Sequence, residues 1–340
     1  MREISSVNQV KNHNVELIKS ALKSIESGTK NVIAQMTGLS VATCNTILNE
    51  LAETGEILET ESVAPSIGRP PKSYRFNESF AYVLCLFTNE EGALTINSAV
   101  TDLMGTILTD DTRSYRHIDE HTIIDYIEEQ IEEEPKIRYI SLGISGFYYD
   151  GRVQSSGIDN LNGIDLKTLI EKRFNLPVTI ENDTNAMALG VYSFADELVE
   201  SKNDMALLAY FKDIQPGCGI VIDGKVHMGN TRFAGEVCHL VYKNFDVFTV
   251  DENNKTTFHS LESRNVVESA STSVISLCCT VNPELIVFTG EAIDNDIIEE
   301  IKRFVSRYIP KEHMPIIKYG EDVRQYYFWG LCAEALDNSR

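Results

Sequence analysis

The stretch Val178–Gly190, VTIENDTNAMALG, combines a strand, a turn and the start of a helix. A strand-like run ends at Glu181, Asn182 and Asp183, and small, helix-favouring residues follow at once. This pattern places a carboxylate and a carboxamide at the mouth of a strand-to-helix turn, where α/β folds commonly bind small molecules. Two roles are open for Asp183: the general base of an enzyme, or an acceptor that holds a ligand.

On both sides of this stretch, strands alternate with helices from about residue 80 onward. The segments YVLCLFT, LTINSAVTD and GTILTD predict a three-stranded meander, followed by a helix and the buried strand IRYISLGIS. A similar set follows, with MALLAYF, GCGIVIDGKVHMG, a helix, PELIVFTG and another helix. Two such βββαβα halves facing each other across a cleft predict an α/β body of the actin-like, ribonuclease H-like architecture.

Composition and length limit the classes of protein that the chain can belong to. Its 340 residues are 43% hydrophobic and 24% charged, which predicts two or three globular units. No apolar run approaches the ~18–20 residues of a membrane span, and no charged-then-apolar leader is found. The seven cysteines have neither metal-type spacing nor the pattern of a secreted disulfide framework. We therefore expect a cytoplasmic protein with reduced thiols and no membrane partner.

The net charge of −21 is unevenly distributed. Residues 1–80 carry 8 Lys and Arg against 9 Asp and Glu, whereas the other 260 residues carry 22 against 42. Contact with a polyanion is therefore expected only at the near-neutral N-terminal part.

Three helices are predicted in this N-terminal part. The first runs from about Asn14 to Ser27, the second follows Thr29, and the third is capped by Ser40 and reaches about Thr54. Each is defined by apolar residues that we expect to be buried: Val15, Ile18, Leu22 and Ile25; then Val32, Ile33 and Met36; then Cys44, Ile47, Leu48 and Leu51.

The second and third helices, joined by a turn at Gly38, have the form of a helix-turn-helix DNA reader. The outward face of the third helix offers small and polar side chains, which can contact base edges. The expected DNA-contacting residues of this face are Ser40, Ala42, Thr43, Asn45, Thr46 and Asn49. The alternative is a three-helix packing domain with a polar exposed face.

The segment GEILETESVAPSIGRPPKSYRFN predicts two short strands around a loop, which is the wing of a winged helix. Between Ser62 and Asn77 it contains three cations and no acid. The stiff Gly68-Arg69-Pro70-Pro71 run could lay Arg69 along a minor groove. Arg69 and Lys72 therefore join the expected DNA-contacting set. The alternative is a proline-containing linker between domains.

Seven motifs follow one another along the chain: GRPPKSYRFN, SLGISGFY, DNLNG, IENDTNAMALG, GIVIDGKVHMG, AGEVCH and NPELIVFTG. In this order and spacing they resemble the ROK family (repressors, open reading frames and kinases), in the branch that carries a winged helix. The resemblance covers nearly the whole chain. It implies a winged helix-turn-helix domain at 1–77, a first actin-like lobe at 78–195, a second at 196–318, and a C-terminal helix at 319–340 packing back on the body.

In that family the cleft of the body holds a sugar. The resemblance carries six sugar-binding positions over to this chain: Asn160, Asn182, Asp183, Glu236, His239 and Glu262. Carboxylates and amides that converge in a cleft suit the hydroxyls of a sugar. The alternative is that the two asparagines serve turns and that the histidine is an interior one with satisfied hydrogen bonds.

Family kinases hold ATP with glycine-rich loops and metal, and use the position of Asp183 as the base. The first loop is altered here, because Glu90 and Glu91 replace glycines. Pro216, which has no amide hydrogen to donate, lies in the path of the second. The third keeps a glycine but follows it with Glu291. These changes predict that ATP does not bind and that the protein is not an enzyme.

The family's zinc module is also expected to be absent. That module uses a histidine and three cysteines, whereas the segment from Glu236 to Glu262 contains only Cys238, next to His239. A structural zinc site needs four ligands. We therefore predict no cofactor, neither zinc nor ATP.

The combined prediction is a sugar-responsive transcriptional regulator, a repressor, in which Asp183 is a vestigial base that accepts a hydrogen bond from the ligand. The expected partners are double-stranded operator DNA, a sugar or sugar phosphate, and a second copy of the chain in a homodimer, with a tetramer left open. The alternatives are an active ROK sugar kinase with a DNA-binding head, and a DNA-binding protein that ignores sugars.

Overall fold

The computed structural model describes residues 2–61, 72–89, 93–154, 158–212, 214–240, 248–250, 256–258 and 263–337. It divides into two compact units, Met1–Tyr82 with Asp102–Thr106, and Val83–Thr101 with Ile107–Arg340. Within the described ranges, no helix has the length and apolar character needed to cross a bilayer.

The first unit contains three helices and a small antiparallel sheet. Its elements are α1 (Arg2–Lys23), β1 (Gly28–Thr29), α2 (Lys30–Thr37), α3 (Val41–Thr54), β2 (Ile57–Glu61) and β3 (Lys72–Phe76). The strand order is β1-β3-β2, with β3 antiparallel to both neighbours. This is the predicted winged helix-turn-helix.

The turn between α2 and α3 follows from two residues. Gly38 has a φ of 69°, in the left-handed region that glycine enters without steric cost. Ser40 then caps α3, because its hydroxyl accepts a hydrogen bond from the backbone N–H of Thr43 at 3.1 Å. The apolar stripe predicted for α3 is buried as expected, at Cys44, Ile47, Leu48 and Leu51.

Two expectations for the first two helices were wrong. Helix α1 begins at Arg2, well before Asn14, because a polar segment without an apolar stripe can still extend a helix. In α2 the buried residues are Ile33 and Ala34, whereas Val32 and Met36 are 43% and 46% exposed. An eight-residue helix is too short for its apolar spacing to identify the buried face.

The second unit contains two α/β halves. The elements of the first half are β4 (Tyr82–Asn89), β5 (Leu94–Thr101), β6 (Ile107–Tyr115), α4 (Glu120–Glu133), β7 (Ile137–Ile144), β8 (Phe147–Tyr149), β9 (Arg152–Gln154), α5 (Leu166–Phe174), β10 (Val178–Asn182) and α6 (Asp183–Phe194). Those of the second half are β11 (Met205–Ala209), β12 (Gly217–Ile222), β13 (Lys225–Val226), β14 (Phe248–Val250), β15 (Thr256–Phe258), α7 (Ser263–Thr280), β16 (Leu285–Thr289), α8 (Asn295–Val305), β17 (Ile316–Tyr319) and α9 (Val323–Asp337).

The main sheets of the two halves have the same topology. One has the strand order β10-β7-β4-β5-β6, and the other, written in the same direction, β17-β16-β11-β12-β13. In each half the first three strands form a meander. The two later strands extend the sheet beyond the first strand of that meander. These two strands are parallel to each other, β7 to β10 in one half and β16 to β17 in the other. This duplication is the predicted actin-like architecture.

The last helix of each half packs on the sheet of the other half. Helix α6 lies against β11 and β12, whereas α9 lies against β7 and β10. From α9, Arg324 donates a hydrogen bond to the Asn97 side-chain oxygen on β5 at 2.5 Å. The final helices therefore connect the two halves.

Helices α6 and α9 approach so closely at two glycines that no side chain would fit between them. A Cβ atom on Gly190 would overlap the carbonyl oxygen of Tyr326, and one on Gly330 would overlap that of Ala186. Around this crossing the two helices bury a shared apolar core that includes Met187 and Leu331. The crossing places the first turn of α6, which carries the predicted ligand residues, next to both sheets.

Candidate functional site

A narrow cleft lies where strand β10 passes into helix α6. Its volume is about 10 Å³, roughly room for one water. The cleft is lined by two of the predicted residues, Asn182 and Glu236, and also by Tyr148, Glu181, Asn185 and Arg232.

Asn182 holds the strand-to-helix turn together. Its side-chain oxygen accepts hydrogen bonds from the backbone N–H groups of Thr184 and Asn185 at 3.0 and 3.2 Å, which caps α6. Its amide nitrogen donates to the carbonyl oxygen of Gly146 at 2.8 Å. Most of its hydrogen-bonding capacity is thus used within the fold, and one amide hydrogen remains for a ligand.

Asp183 and Glu236 are two carboxyl groups close enough to affect each other electrostatically. Burial raises the pKa of Asp183 to about 6; a hydrogen bond from the Thr184 N–H opposes this rise, and the charge of Glu236 adds to it. Burial also raises the pKa of Glu236, and the nearby His239 opposes that shift. Near neutral pH the pair can accept hydrogen bonds from hydroxyl groups.

Glu181 extends this set of acceptors. Its side chain is buried, and one carboxylate oxygen accepts hydrogen bonds from the backbone N–H of Asn182 and the side-chain amide of Asn185, at 2.8 and 3.1 Å. Glu181 ends strand β10 and Asn185 lies in the first turn of α6, and the hydrogen bond between them brings both side chains to the same cleft.

The other predicted ligand residues lie apart from these. Asn160, on the short 3₁₀ helix Asp159–Leu161, donates to the carbonyl oxygen of Ile118 at 3.3 Å, with its amide nitrogen 3.2 Å from His117 Nδ1. His239 is exposed, with its ring 5.2 Å from the Phe233 ring. Neither of these two residues, nor Asp183, is among the residues that line the cleft. Glu262 lies outside the described residues.

One cluster of metal-ligand types occurs in the described part of the chain. Single donor atoms of Glu236, Cys238 and His239 lie within 4.8 Å of one another. Burial, followed by the charge of Glu236, raises the pKa of Cys238 to about 12, so the thiol stays protonated near neutral pH. Three donors from one short turn are one fewer than a structural zinc site uses.

At the ends of β11 and β16, a glutamate occupies the region of the altered phosphate loops. Gly290, with a φ of 99°, is held against the backbone of Tyr210. Glu291 then accepts a hydrogen bond from the backbone N–H of Lys212 at 3.0 Å. This amide is therefore satisfied by a carboxylate. Glu90, Glu91 and Asp213 lie outside the described residues.

In the first unit, the predicted DNA-contacting residues of α3 are accessible to different degrees. Ser40, Ala42, Thr46 and Asn49 are exposed, while Thr43 and Asn45 are half-buried. The Thr43 and Thr46 hydroxyls lie within hydrogen-bonding distance of Ser40 Oγ and the Ala42 carbonyl oxygen, respectively. Arg69 lies outside the described residues.

Four cations in the described part of this unit are paired with carboxylates. Lys11 pairs with Glu50, Lys19 with Glu56, Lys72 with Glu59 at 2.8 Å, and Arg75 with Glu78. Lys30, exposed at the start of α2, instead donates to the side-chain oxygen of Asn45 at 3.4 Å. It thus links the two helices of the helix-turn-helix.

The site residues predicted from the sequence do not include Tyr148, Glu181, Asn185 or Arg232. Glu181 and Asn185 could have been found because both are polar residues beside Asn182 and Asp183, at the predicted strand-to-helix turn. Arg232 could have been found because it is the only lysine or arginine between Lys225 and Lys243.

The fold and cleft together define a class: a two-lobed, actin-like body of the sugar-kinase type joined to a winged helix-turn-helix. Residues 89–253 match the model of the ROK family.

Relatives and solved structures are consistent with the repressor branch of that family. The xylose repressor of Bacillus subtilis is 28% identical over 250 residues, covering 70% of this chain and 62% of that protein. The chain thus spans less than two thirds of that curated relative. The crystal structure of a ROK family transcriptional regulator, a homologue of the E. coli MLC protein, superposes with a TM-score of 0.72 at 18% identity, covering 96% of both chains. A ROK hexokinase from Thermus thermophilus superposes with a TM-score of 0.61 at 17% identity, covering 76% of this chain and 99% of the hexokinase.

Proposed function

We propose that this protein is a sugar-responsive transcriptional regulator, a repressor, that binds operator DNA as a dimer and has lost the kinase activity found elsewhere in its family. The observation that carries the proposal is the presence, in one chain, of a winged helix-turn-helix and a ROK body with acceptors gathered in a cleft. The similarity to xylose repressors supports the same function.

The proposed domains and residues follow the sequence analysis. Residues 1–77 bind DNA through the outward face of α3 and the wing, and the two lobes, 78–195 and 196–318, bind the sugar. Asp183 and Glu236 accept hydrogen bonds from sugar hydroxyls, with Asn160, His239 and Glu262 retained as proposed contacts. Because the cleft has room for only about one water in this structure, it must open to admit a sugar before it can close on it.

Loss of the ATP site is supported by the contact between Glu291 and the Lys212 amide. Phosphate-binding loops work by donating backbone N–H groups to phosphate oxygens. At this position the donor is already satisfied, and the group that satisfies it carries a negative charge that would repel a triphosphate. Pro216 removes a further donor from the following loop.

The proposal is tested by selecting DNA from a random-sequence duplex pool with the full-length protein, followed by titration of the selected duplex with and without a panel of monosaccharides and sugar phosphates. We expect specific binding to one sequence and at least a tenfold change in affinity with one sugar, which corresponds to about 1.4 kcal/mol of coupling. The same panel with Mg-ATP should give no phosphorylated product.

Each rival function predicts a different outcome of this experiment. Phosphoryl transfer that requires Asp183 would identify an active kinase. Specific DNA binding that no sugar changes would identify a regulator that ignores sugars. Failure to enrich any sequence would rule out the proposed regulator.

Lys30 is expected to contact a DNA phosphate, because it lies beside the recognition helix and pairs with no carboxylate among the described residues. Lys30→Gln should therefore weaken binding to a random-sequence duplex and reduce the slope of log affinity against log salt concentration by about 0.9. The measurement is fluorescence anisotropy at four or more salt concentrations.

The matched control is Lys302→Gln, which removes the same charge from an ion pair with Glu299 on helix α8 of the body. This variant should leave the salt slope unchanged. An unchanged slope in Lys30→Gln would show that the contact with Asn45, and not a phosphate, accounts for the position of Lys30.

A further inference from the structure

Arg232 is a cation that lines the same cleft as two carboxylates, and it forms no ion pair with either of them. Glu181 and Glu236 line the same narrow space. Yet no ion pair or hydrogen bond joins Arg232 to either of them, or to any other residue in the described part of the chain. A cation and carboxylates that share a small cavity without pairing are available to different parts of a ligand.

The backbone at Arg232 has an unfavourable conformation for an arginine. Its φ is 61°, in the left-handed region, whereas the other such positions nearby are the glycines Gly229 and Gly235. Residues other than glycine, asparagine and aspartate are uncommon there because the side chain crowds the backbone. Strained conformations of this kind concentrate at ligand-binding positions, where the surrounding structure maintains them.

The lining of the cleft therefore offers two kinds of chemistry. The Glu181 and Glu236 carboxylates can accept hydrogen bonds from hydroxyl groups. Arg232 lies near enough to Tyr148 for its charge to act on the phenol, and it carries a planar guanidinium suited to two oxygens at once. A molecule that carries both hydroxyl groups and anionic oxygens matches both kinds of group.

We propose that Arg232 forms an anion subsite and that the effector is a sugar bearing a phosphate or a carboxylate group. This inference rests on the proposed function, because it specifies the ligand of the same cleft. Phosphate and carboxylate present the same oxygen chemistry to a guanidinium, and the test distinguishes them.

The test is isothermal titration calorimetry of the full-length protein with matched ligand triplets. Each triplet consists of a neutral hexose, its 6-phosphate and its uronic acid, for glucose, mannose and galactose. At least one anionic member should bind tenfold or more tightly than its neutral parent. A preference for the 6-phosphate identifies phosphate as the anion, and a preference for the uronic acid identifies carboxylate.

Two variants assign this preference to Arg232. Arg232→Gln should weaken binding of the preferred anionic sugar by about 10- to 100-fold, as expected for a charge-assisted hydrogen bond, and leave the neutral hexose within about threefold. Arg232→Gly should weaken binding of the anionic sugar in the same way. Because glycine adopts a positive φ without strain, a loss of binding caused by misfolding at this turn would occur only in the glutamine variant. Arg232→Lys should recover only part of the affinity, because its ammonium cannot bind two oxygens in the same planar arrangement.

The possible failures are distinguishable. A neutral hexose that binds as tightly as its anionic partners, or an equal loss for all ligands in the variants, would overturn the anion subsite and leave the sugar-responsive regulator intact. Absence of binding by every triplet member would overturn the subsite and the sugar response together.

Discussion

Gly330→Ala is expected to destabilise the body by about 3 kcal/mol, because the added methyl group would overlap the carbonyl oxygen of Ala186. A rigid helix backbone cannot move aside as a flexible side chain would. The overlap must therefore separate α6 from α9 and open the core that they share. Urea unfolding can be followed by the fluorescence of Trp329, the only tryptophan, which neighbours Gly330 in α9 and packs against Phe194 of α6.

Gly163→Ala is the matched control, since Gly163 has a φ of 83° and no atom within 4 Å of an added Cβ. Its expected cost is about 1 kcal/mol, from backbone conformation alone. Gly190→Ala should resemble Gly330→Ala, because it would overlap the Tyr326 carbonyl oxygen at the same crossing. If Gly330→Ala costs no more than Gly163→Ala, the helices can separate without loss and the close approach is not required.

Asp183→Asn is expected to weaken the binding of the sugar while making the free protein more stable at alkaline pH. Loss of a charged acceptor for a hydroxyl group should lower affinity by about 10- to 100-fold. The amide oxygen can still accept the hydrogen bond from the Thr184 N–H, so the helix start is preserved. Isothermal titration calorimetry measures the loss of affinity, with the sugar that the panel of monosaccharides and sugar phosphates identifies.

The stability effect depends on pH because burial raises the pKa of Asp183 to about 6, above its usual value of 3.8. The folded protein therefore binds this proton more tightly than the unfolded chain does, and stability is lost as pH rises from about 4 through 6. Asparagine does not titrate. The variant should gain on the order of 1–2 kcal/mol at pH 8, allowing for partial exposure of the carboxyl, and the gain should shrink below pH 6.

Unfolding by urea at pH 8, 6 and 4.5, again observed through Trp329, measures this difference. Asp125→Asn, an identical substitution at an exposed position of helix α4, should change stability by less than about 0.5 kcal/mol at each pH. If Asp183→Asn increases the free energy of unfolding by the same amount at all three pH values, burial does not raise the pKa of this carboxyl.

The architecture of the body could be predicted from the sequence because its strands are long apolar runs separated by clear helices. Helix α3 was equally predictable, since Ser40 provides a cap and four apolar residues mark one face. Helix α2 was not, because Val32, Ile33, Ala34 and Met36 offer apolar side chains all round an eight-residue segment. Which of them become buried is decided by packing against the other elements of the unit.

The residues of the cleft were only partly predictable. Asn182 and Glu236 belong to motifs whose spacing marks them, and both line the cleft. Arg232 belongs to an irregular turn with no period or motif, and only the three-dimensional structure shows that it lines the cleft without an ion pair to the described residues. The Glu291 contact with the Lys212 amide likewise joins residues 79 positions apart, which no local pattern can reveal.

The exchange of final helices between the two halves has a consequence for synthesis on the ribosome. The first half cannot complete its core when its own last strand has emerged, because α9, residues 323–337, is the segment that covers β7 and β10. A nascent chain therefore carries an unfinished, apolar sheet face until α9 has been made, about 140 residues after the end of β10. During that interval the exposed face is a surface on which aggregation can begin.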